Sequence, residues 1–180
     1  SVQIWSLQRA QIAEIEVDHE KPFSVIELEN GDILSFSDGH TLRRWDRQGK
    51  KVTRFEGRGE AVEWAWELRN GEIVSCAENG TLILWDVQGQ VMARFSGHSN
   101  SVINLIELAD GKIMSYSRDQ TMRIWKRDGT LLQTLYTTKE ISGIRFDIDK
   151  EPGNIFVISN EKPNVYKIQS SNNEIDVNAL

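Results

Sequence analysis

The sequence predicts an all-β fold made of repeated four-stranded antiparallel sheets. Three observations predict it. Trp5, Trp45, Trp85 and Trp125 stand 40 residues apart each time. Short apolar-rich runs alternate with polar, glycine-bearing turns, roughly ten residues per strand and turn. No segment shows helical periodicity between good helix caps. Tryptophan is a rare residue type, and four of the six here fall in one register, which excludes coincidence. Leu28, Leu68 and Leu108 keep the same period, as do Gly31, Gly71 and Gly111, Ser35, Ser75 and Ser115, and Thr41, Thr81 and Thr121.

The unit from Phe23 to Gly57 shows what one repeat contains. FSVIEL reads as the first strand and ends at Asn30-Gly31, matched by Asn70-Gly71 and Asp110-Gly111 in the next repeats. Such dipeptides favour positive φ at both positions of a tight hairpin turn. ILSFS is the second strand, followed by a turn at Asp38-Gly39-His40. TLRRW is the third, Gln48-Gly49 the next turn, and KVTRF the fourth. A four-stranded meander cannot bury both faces alone, so copies must stack on one another. Trp, Leu and Ile recurring in register supply the apolar faces. Radial stacking gives a β-propeller. A linear β-solenoid is the alternative, but its rungs are usually shorter than this repeat.

The expected organisation is a propeller segment over residues 1–169, about four to four and a half blades. It comprises a part-blade at 1–17, blades at about 22–57, 62–97 and 102–137, and a final blade at about 141–169. Residues 170–180 are expected to form a polar tail or a closing strand. A closed four-bladed ring, with residues 11–17 completing the last blade, would leave SVQIW over.

Composition narrows the function classes. Hydrophobic content of 39% with 27% charged residues fits a packed domain rather than a disordered chain. No apolar run approaches the roughly 18 residues that a membrane-spanning helix needs. The single cysteine, Cys76, excludes an intrachain disulfide and fits a reducing compartment, so a cytoplasmic location is expected. The net charge is −6; residues 1–90 hold 10 basic and 16 acidic side chains, and residues 91–180 hold 11 of each. That balance argues against non-specific nucleic-acid binding, which rests on neutralising phosphates.

TLRRWD (41–46), TLILWD (81–86), TMRIWK (121–126) and the Gly97-His98 pair resemble the WD-repeat family, in a divergent form similar to bacterial WD-like repeats. The resemblance covers nearly the whole chain and implies a propeller. Family members usually close with about seven blades, so the expectation is a fragment of a longer propeller or a unit completed by self-association. The resemblance also implies a buried hydrogen-bonded tetrad. Only the third full repeat has all four members: His98, Ser115 (or Ser117), Asp119 and Trp125. The second repeat has Arg58 and Asn79 at the His and Asp positions. The first has Asp18 and Gly39 there, with His19 and Asp38 one residue out of register. In the last unit a lengthened turn spans Lys150-Glu151-Pro152-Gly153, and Val165 holds the Trp position.

Chemical motifs are sparse. His19 and His40 fall in turns and read as solvated. No His and Cys set has zinc-ligand spacing, and no P-loop appears. Cys76 aligns with Phe36 and Tyr116 and reads as a packed strand residue. The resemblance therefore implies a protein-binding scaffold for a protein or peptide partner. Catalysis, cofactor, metal, nucleic acid and membrane are not expected. A catalytic or ligand-binding propeller, or a regulatory appendage of a larger enzyme, is the alternative.

Departures from the repeat point to a surface. Trp64 aligns with Ser24, Asn104 and Ile144, whereas Trp66 aligns with Ile26 and Ile106 and is expected in the core. Arg44 stands where Leu84, Ile124 and Ile4 stand, so it must snorkel or find a partner. Arg58, Trp64 and Asn79 form the candidate partner-binding set. In the family fold, the loop before the first strand and the turn after the second open on one face. The bland reading of Trp64, filling space between blades, stands ahead of the exposed anchor.

Overall fold

A computed structural model of the chain describes residues 1–5, 11–15, 22–37, 42–55, 62–136, 141–146, 154–159, 163–171 and 174–179. Asp18, His19, Asp38, Gly39, His40, Arg58 and the turn at 150–153 lie outside these residues. Every regular element among the described residues is a strand.

Strands β1 (Val2–Trp5) and β2 (Gln11–Ile15) pair with each other. Four sheets of four strands follow, each an antiparallel meander in sequence order. The first holds β3 (Pro22–Glu27), β4 (Ile33–Ser37), β5 (Leu42–Trp45) and β6 (Lys51–Phe55). The second holds β7 (Val62–Glu67), β8 (Ile73–Ala77), β9 (Leu82–Trp85) and β10 (Val91–Phe95). The third holds β11 (Val102–Glu107), β12 (Ile113–Ser117), β13 (Thr121–Trp125) and β14 (Leu131–Tyr136). The last holds β15 (Ile141–Phe146), β16 (Asn154–Ser159), β17 (Pro163–Ser171) and β18 (Glu174–Ala179). These are propeller blades. β18 takes the fourth place in the last sheet, while Gln11–Ile15 pairs with β1.

Burial follows strand position. β8 and β12 are buried at every residue, because both of their faces are covered. The outer strands β6 and β10 bury only alternate residues towards their ends, with Phe55 and Phe95 inward and Arg54 and Arg94 outward. That is the period-two pattern of a strand with one wet face.

The hairpin turns differ from the expected two-residue form. Gly31, Gly71 and Gly111 have φ of 83°, 79° and 80°, but the Asn or Asp before each does not have positive φ. Gly31 N donates to Leu28 O over 2.8 Å, and Leu28 N donates to Asp32 O over 2.8 Å. The loop is therefore three residues long, a tight turn followed by a left-handed glycine that forms a bulge. Asn30 Oδ1 accepts from Asp32 N, which supports the turn through its side chain rather than through its own φ. The Asp of each WD dipeptide does similar work between third and fourth strands. Asp46 Oδ1 accepts from Gln48 N and Lys50 N, and Asp86 Oδ1 from Gln88 N and Gln90 N. In the third sheet Lys126 replaces that Asp, and Asp128 Oδ1 accepts from Thr130 N instead.

The chain divides into two compact units, residues 1–78 with 82–94, and residues 79–81 with 95–180. In the first, Leu34, Phe36, Leu42 and Phe55 pack against Val62, Ala65, Ile73, Ile83 and Trp85. Facing sheets thus bury aliphatic side chains against an indole, and Phe55 meets Trp85 edge-on at 5.6 Å. In the second, Met114, Tyr116, Met122 and Ile124 form the core, flanked by Ile103, Ile106, Leu132 and Leu135.

Candidate functional site

The invariant pair of the repeat is a tryptophan and a serine. Trp45 Nε1 donates to Ser35 Oγ, Trp85 Nε1 to Ser75 Oγ, and Trp125 Nε1 to Ser115 Oγ, each over 2.8 Å. In these three sheets the second and third strands place the partners as diagonal neighbours: Trp45, Trp85 and Trp125 stand opposite Ile33, Ile73 and Ile113, and each serine lies two residues further along the second strand. A buried indole N–H needs an acceptor, and this serine supplies it.

In the third sheet the pair grows into a network. Ser115 Oγ lies 2.7 Å from His98 Nε2, and His98 Nδ1 lies 2.8 Å from Asp119 Oδ2. The donors run in one direction: Trp125 N–H to Ser115, Ser115 O–H to His98 Nε2, and His98 Nδ1–H to Asp119. That order selects the neutral imidazole protonated on Nδ1. Asp119 also accepts from Ser99 N, Thr121 N and Thr121 Oγ1. Phe95 and His98 both meet Trp125 edge-on, at 5.7 and 6.0 Å. Between the two candidate serines, Ser115 occupies the network. Ser117 Oγ donates to Asn100 O and accepts from Asp119 N, which shapes the turn.

Electrostatics match this arrangement. Burial pushes the His98 imidazole below its ordinary value. The hydrogen bond and charge of Asp119 oppose that shift without cancelling it, and Arg123 adds to the lowering. Burial raises the Asp119 carboxyl, but hydrogen bonds from Thr121, Ser99 and His98 outweigh it and hold the pKa at about 2. His98 shows no side-chain surface to water. This chain of donors and acceptors, with the His98 side chain shut off from water, locks a loop to a sheet.

Thr121 and Arg123 belong to this cluster, and sequence reasoning passed over them as members. Arg123 Nε lies 3.3 Å from Thr121 Oγ1, and its guanidinium sits over the Trp125 ring at 5.9 Å. The signal for Thr121 was present, since Thr41, Thr81 and Thr121 share the period. In the second repeat Asn79 keeps one role of Asp119: its Oδ1 accepts from Thr81 N over 2.9 Å, and the residue is exposed.

The departures from the repeat have distinct fates. Trp64 is 50% exposed on β7. Trp66, expected in the core, is only half-buried. Its strand bulges between Val62 and Trp64, which shifts the register against β8. Arg44 pairs with Asp32, Nε to Oδ2, over 2.7 Å. Cys76 is buried. Arg58 lies outside the described residues, so Trp64 and Asn79 are the members of the candidate set that the structure places, each within its own unit.

Comparison with known proteins agrees with this architecture. Residues 89–126 match the family described as "WD domain, G-beta repeat". That stretch contains His98, Ser115, Asp119 and Trp125. The computationally designed Ika8 protein shares 19% identity and a TM-score of 0.74, over 92% of this chain and 52% of that one. The designed Ika4 protein shares 19% identity and a TM-score of 0.71, over 89% of this chain and 99% of that one. The WD40 β-propeller domain of Doa1 shares 22% identity and a TM-score of 0.69, over 91% of this chain and 55% of that one. The chain thus spans about half the length of two of these structures. No curated protein matches the sequence. The match over residues 89–126, the Trp–Ser pair of three sheets and the similarity to solved propellers show a β-propeller fold with one stretch similar to the WD repeat.

Proposed function

We propose that the chain is a non-catalytic binding module that holds a protein or peptide partner, with Trp64 as an anchor. The fold is one on which protein-interaction scaffolds are generally built, although fold does not choose the partner. The observation that carries the reading is the 50% exposure of Trp64 on the first strand of its sheet, where the other repeats have Ser24, Asn104 and Ile144. Leaving half an indole in water forgoes the burial that the repeat gives Trp45, Trp85 and Trp125. Tryptophan is also the residue type most enriched at interface hot spots. Asn79 and Arg58 are further candidates from their place in the repeat, but the reading stands on Trp64. The acidic balance disfavours nucleic acid as the partner, and a cytoplasmic location is part of the same proposal.

A peptide library displayed on phage and selected against the chain tests this. Enriched peptides should lose about tenfold or more in affinity for Trp64→Ala, the loss expected of an aromatic anchor. Circular dichroism should show the variant folded. Peptides that bind parent and variant alike would remove Trp64 from the binding surface.

A further inference from the structure

We infer that Asn79 is a modification site: in the folded chain it deamidates spontaneously, ahead of Asn30 and Asn70, the other asparagines that precede a glycine. The reaction needs water and no enzyme. Gly80 N gives its proton to solvent base and attacks Asn79 Cγ. A C–N bond forms, the bond from Cγ to Nδ2 breaks, and ammonia leaves. Water then opens the cyclic imide. Attack at Cγ yields an aspartate, and attack at the main-chain carbonyl yields an isoaspartate, whose backbone runs through the side chain. Either product replaces an amide by a carboxylate and adds one negative charge to a chain of net charge −6. Asparagine is a thermolabile residue type, and a following glycine, lacking Cβ, lets its backbone approach closely.

Hydrogen bonds rank the three Asn-Gly pairs. The glycine backbone does not separate them, since Gly31, Gly71 and Gly80 have φ of 83°, 79° and 84°. Nor does the carbon under attack. Each asparagine Oδ1 accepts from the N–H two residues on, over 3.0 Å for Asn30, 3.2 Å for Asn70 and 2.9 Å for Asn79. The nucleophile does separate them. Gly31 N donates to Leu28 O and Gly71 N to Leu68 O, each over 2.8 Å. Gly80 N has no acceptor among the described residues, although Gln120 N at the equivalent place in the third sheet donates to Ser117 O. The leaving group separates Asn79 from Asn30 as well. Asn30 Nδ2 donates to Asp32 Oδ2, whereas Asn79 is exposed and its Nδ2 bonds to no described residue. The fold also preserves the reactive pair, because a Cβ at position 80 would run into Asn100 O and His98. An aspartate fits the turn: Asp119 Oδ1 accepts from Thr121 N just as Asn79 Oδ1 accepts from Thr81 N. This site does not depend on the reading of Trp64.

Incubation of the full chain at mildly alkaline pH, followed by cleavage after glutamate and mass spectrometry, tests the inference. Cuts after Glu29, Glu67, Glu72 and Glu78 put the three asparagines on separate peptides. The peptide that begins at Asn79 should gain the mass difference between an amide and an acid, with fragmentation placing it at that residue. It should do so about fivefold or more faster than the peptides of Asn30 and Asn70, the factor that breaking one opposing hydrogen bond sets on a rate. In guanidinium chloride, where the turns are lost, the three should react at similar rates. Amide hydrogen exchange of the native chain should find Gly80 less protected than Gly31 and Gly71. The inference is overturned if Asn79 gains no mass, or if Asn30 or Asn70 keeps pace with it in the folded chain. The same ranking in guanidinium chloride overturns it too, since flanking residues and not the fold would then set the rates. So does a Gly80 amide as protected as the other two.

Discussion

His98 Nδ1 lies 2.8 Å from Asp119 Oδ2, with 0% and 5% of the two side chains exposed. The contact joins the loop before β11 to the turn after β12, and Asp119 gathers further donors from Ser99 and Thr121. Asp119→Ala leaves several of these groups without a partner. It should cost about 1–3 kcal/mol, the penalty for orphaning a buried polar group. Urea melts at neutral pH measure this, and an unchanged midpoint would show that the network adds nothing to stability.

The same pair sets a dependence on pH. The folded His98 titrates below its ordinary 6.5. Between its folded value and 6.5 the unfolded chain binds more protons, so stability rises with pH there and falls on acidification. Asp119 titrates at about 2 against 3.8 in its ordinary state, so its contribution is complete above 3.8 and is lost between 3.8 and about 2. Acid weakens the fold in both windows. Melting curves from pH 7 to 5 should show a decline in the parent that His98→Gln does not share. Equal slopes in the two proteins would contradict the burial of a neutral imidazole.

The serine of the Trp–Ser pair should matter more in the third sheet than in the second. Ser75→Ala orphans one buried donor, Trp85 Nε1, at about 1–3 kcal/mol. Ser115→Ala orphans Trp125 Nε1 and also removes the partner of His98 Nε2, so the loss should be roughly twice as large. Thermal unfolding of the two variants side by side gives the comparison, and equal losses would show that His98 finds another donor.

Two glycines of similar φ should respond differently to alanine. Gly80 has φ of 84°, and an added Cβ would stand 2.5 Å from Asn100 O and 2.9 Å from His98 Cβ. Gly111 has φ of 80° with nothing within 4 Å. Gly111→Ala should cost only the left-handed strain, about 1–2 kcal/mol. Gly80→Ala should cost more, because backbone must also move beside the His98 network. Denaturant midpoints test the order, and a reversed order would place Asn100 elsewhere.

Sequence alone determined the repeat and therefore the sheets. A rare residue at period 40 marks one strand per copy, and glycine turns mark its ends. Those signals are local: alternation, turn chemistry and register act within about ten residues. The membership of His98, Asp119 and Trp125 was likewise legible, through the family pattern. Tertiary structure decided what depends on neighbours distant in sequence. It chose Ser115 over Ser117, because only Ser115 lies between the indole and the imidazole. It gave Arg44 an acid in the turn that leads into the adjacent strand, where a repeat of aliphatic residues showed only an anomaly. It shortened the positive-φ stretch of each hairpin to a single glycine, since Asn30 and its counterparts hold the turn with their side chains. It also left Trp64 half in water, although β3 and β11 carry the same bulge at the equivalent place. Period and polarity say that a tryptophan can be buried; only the packed neighbours decide whether it is.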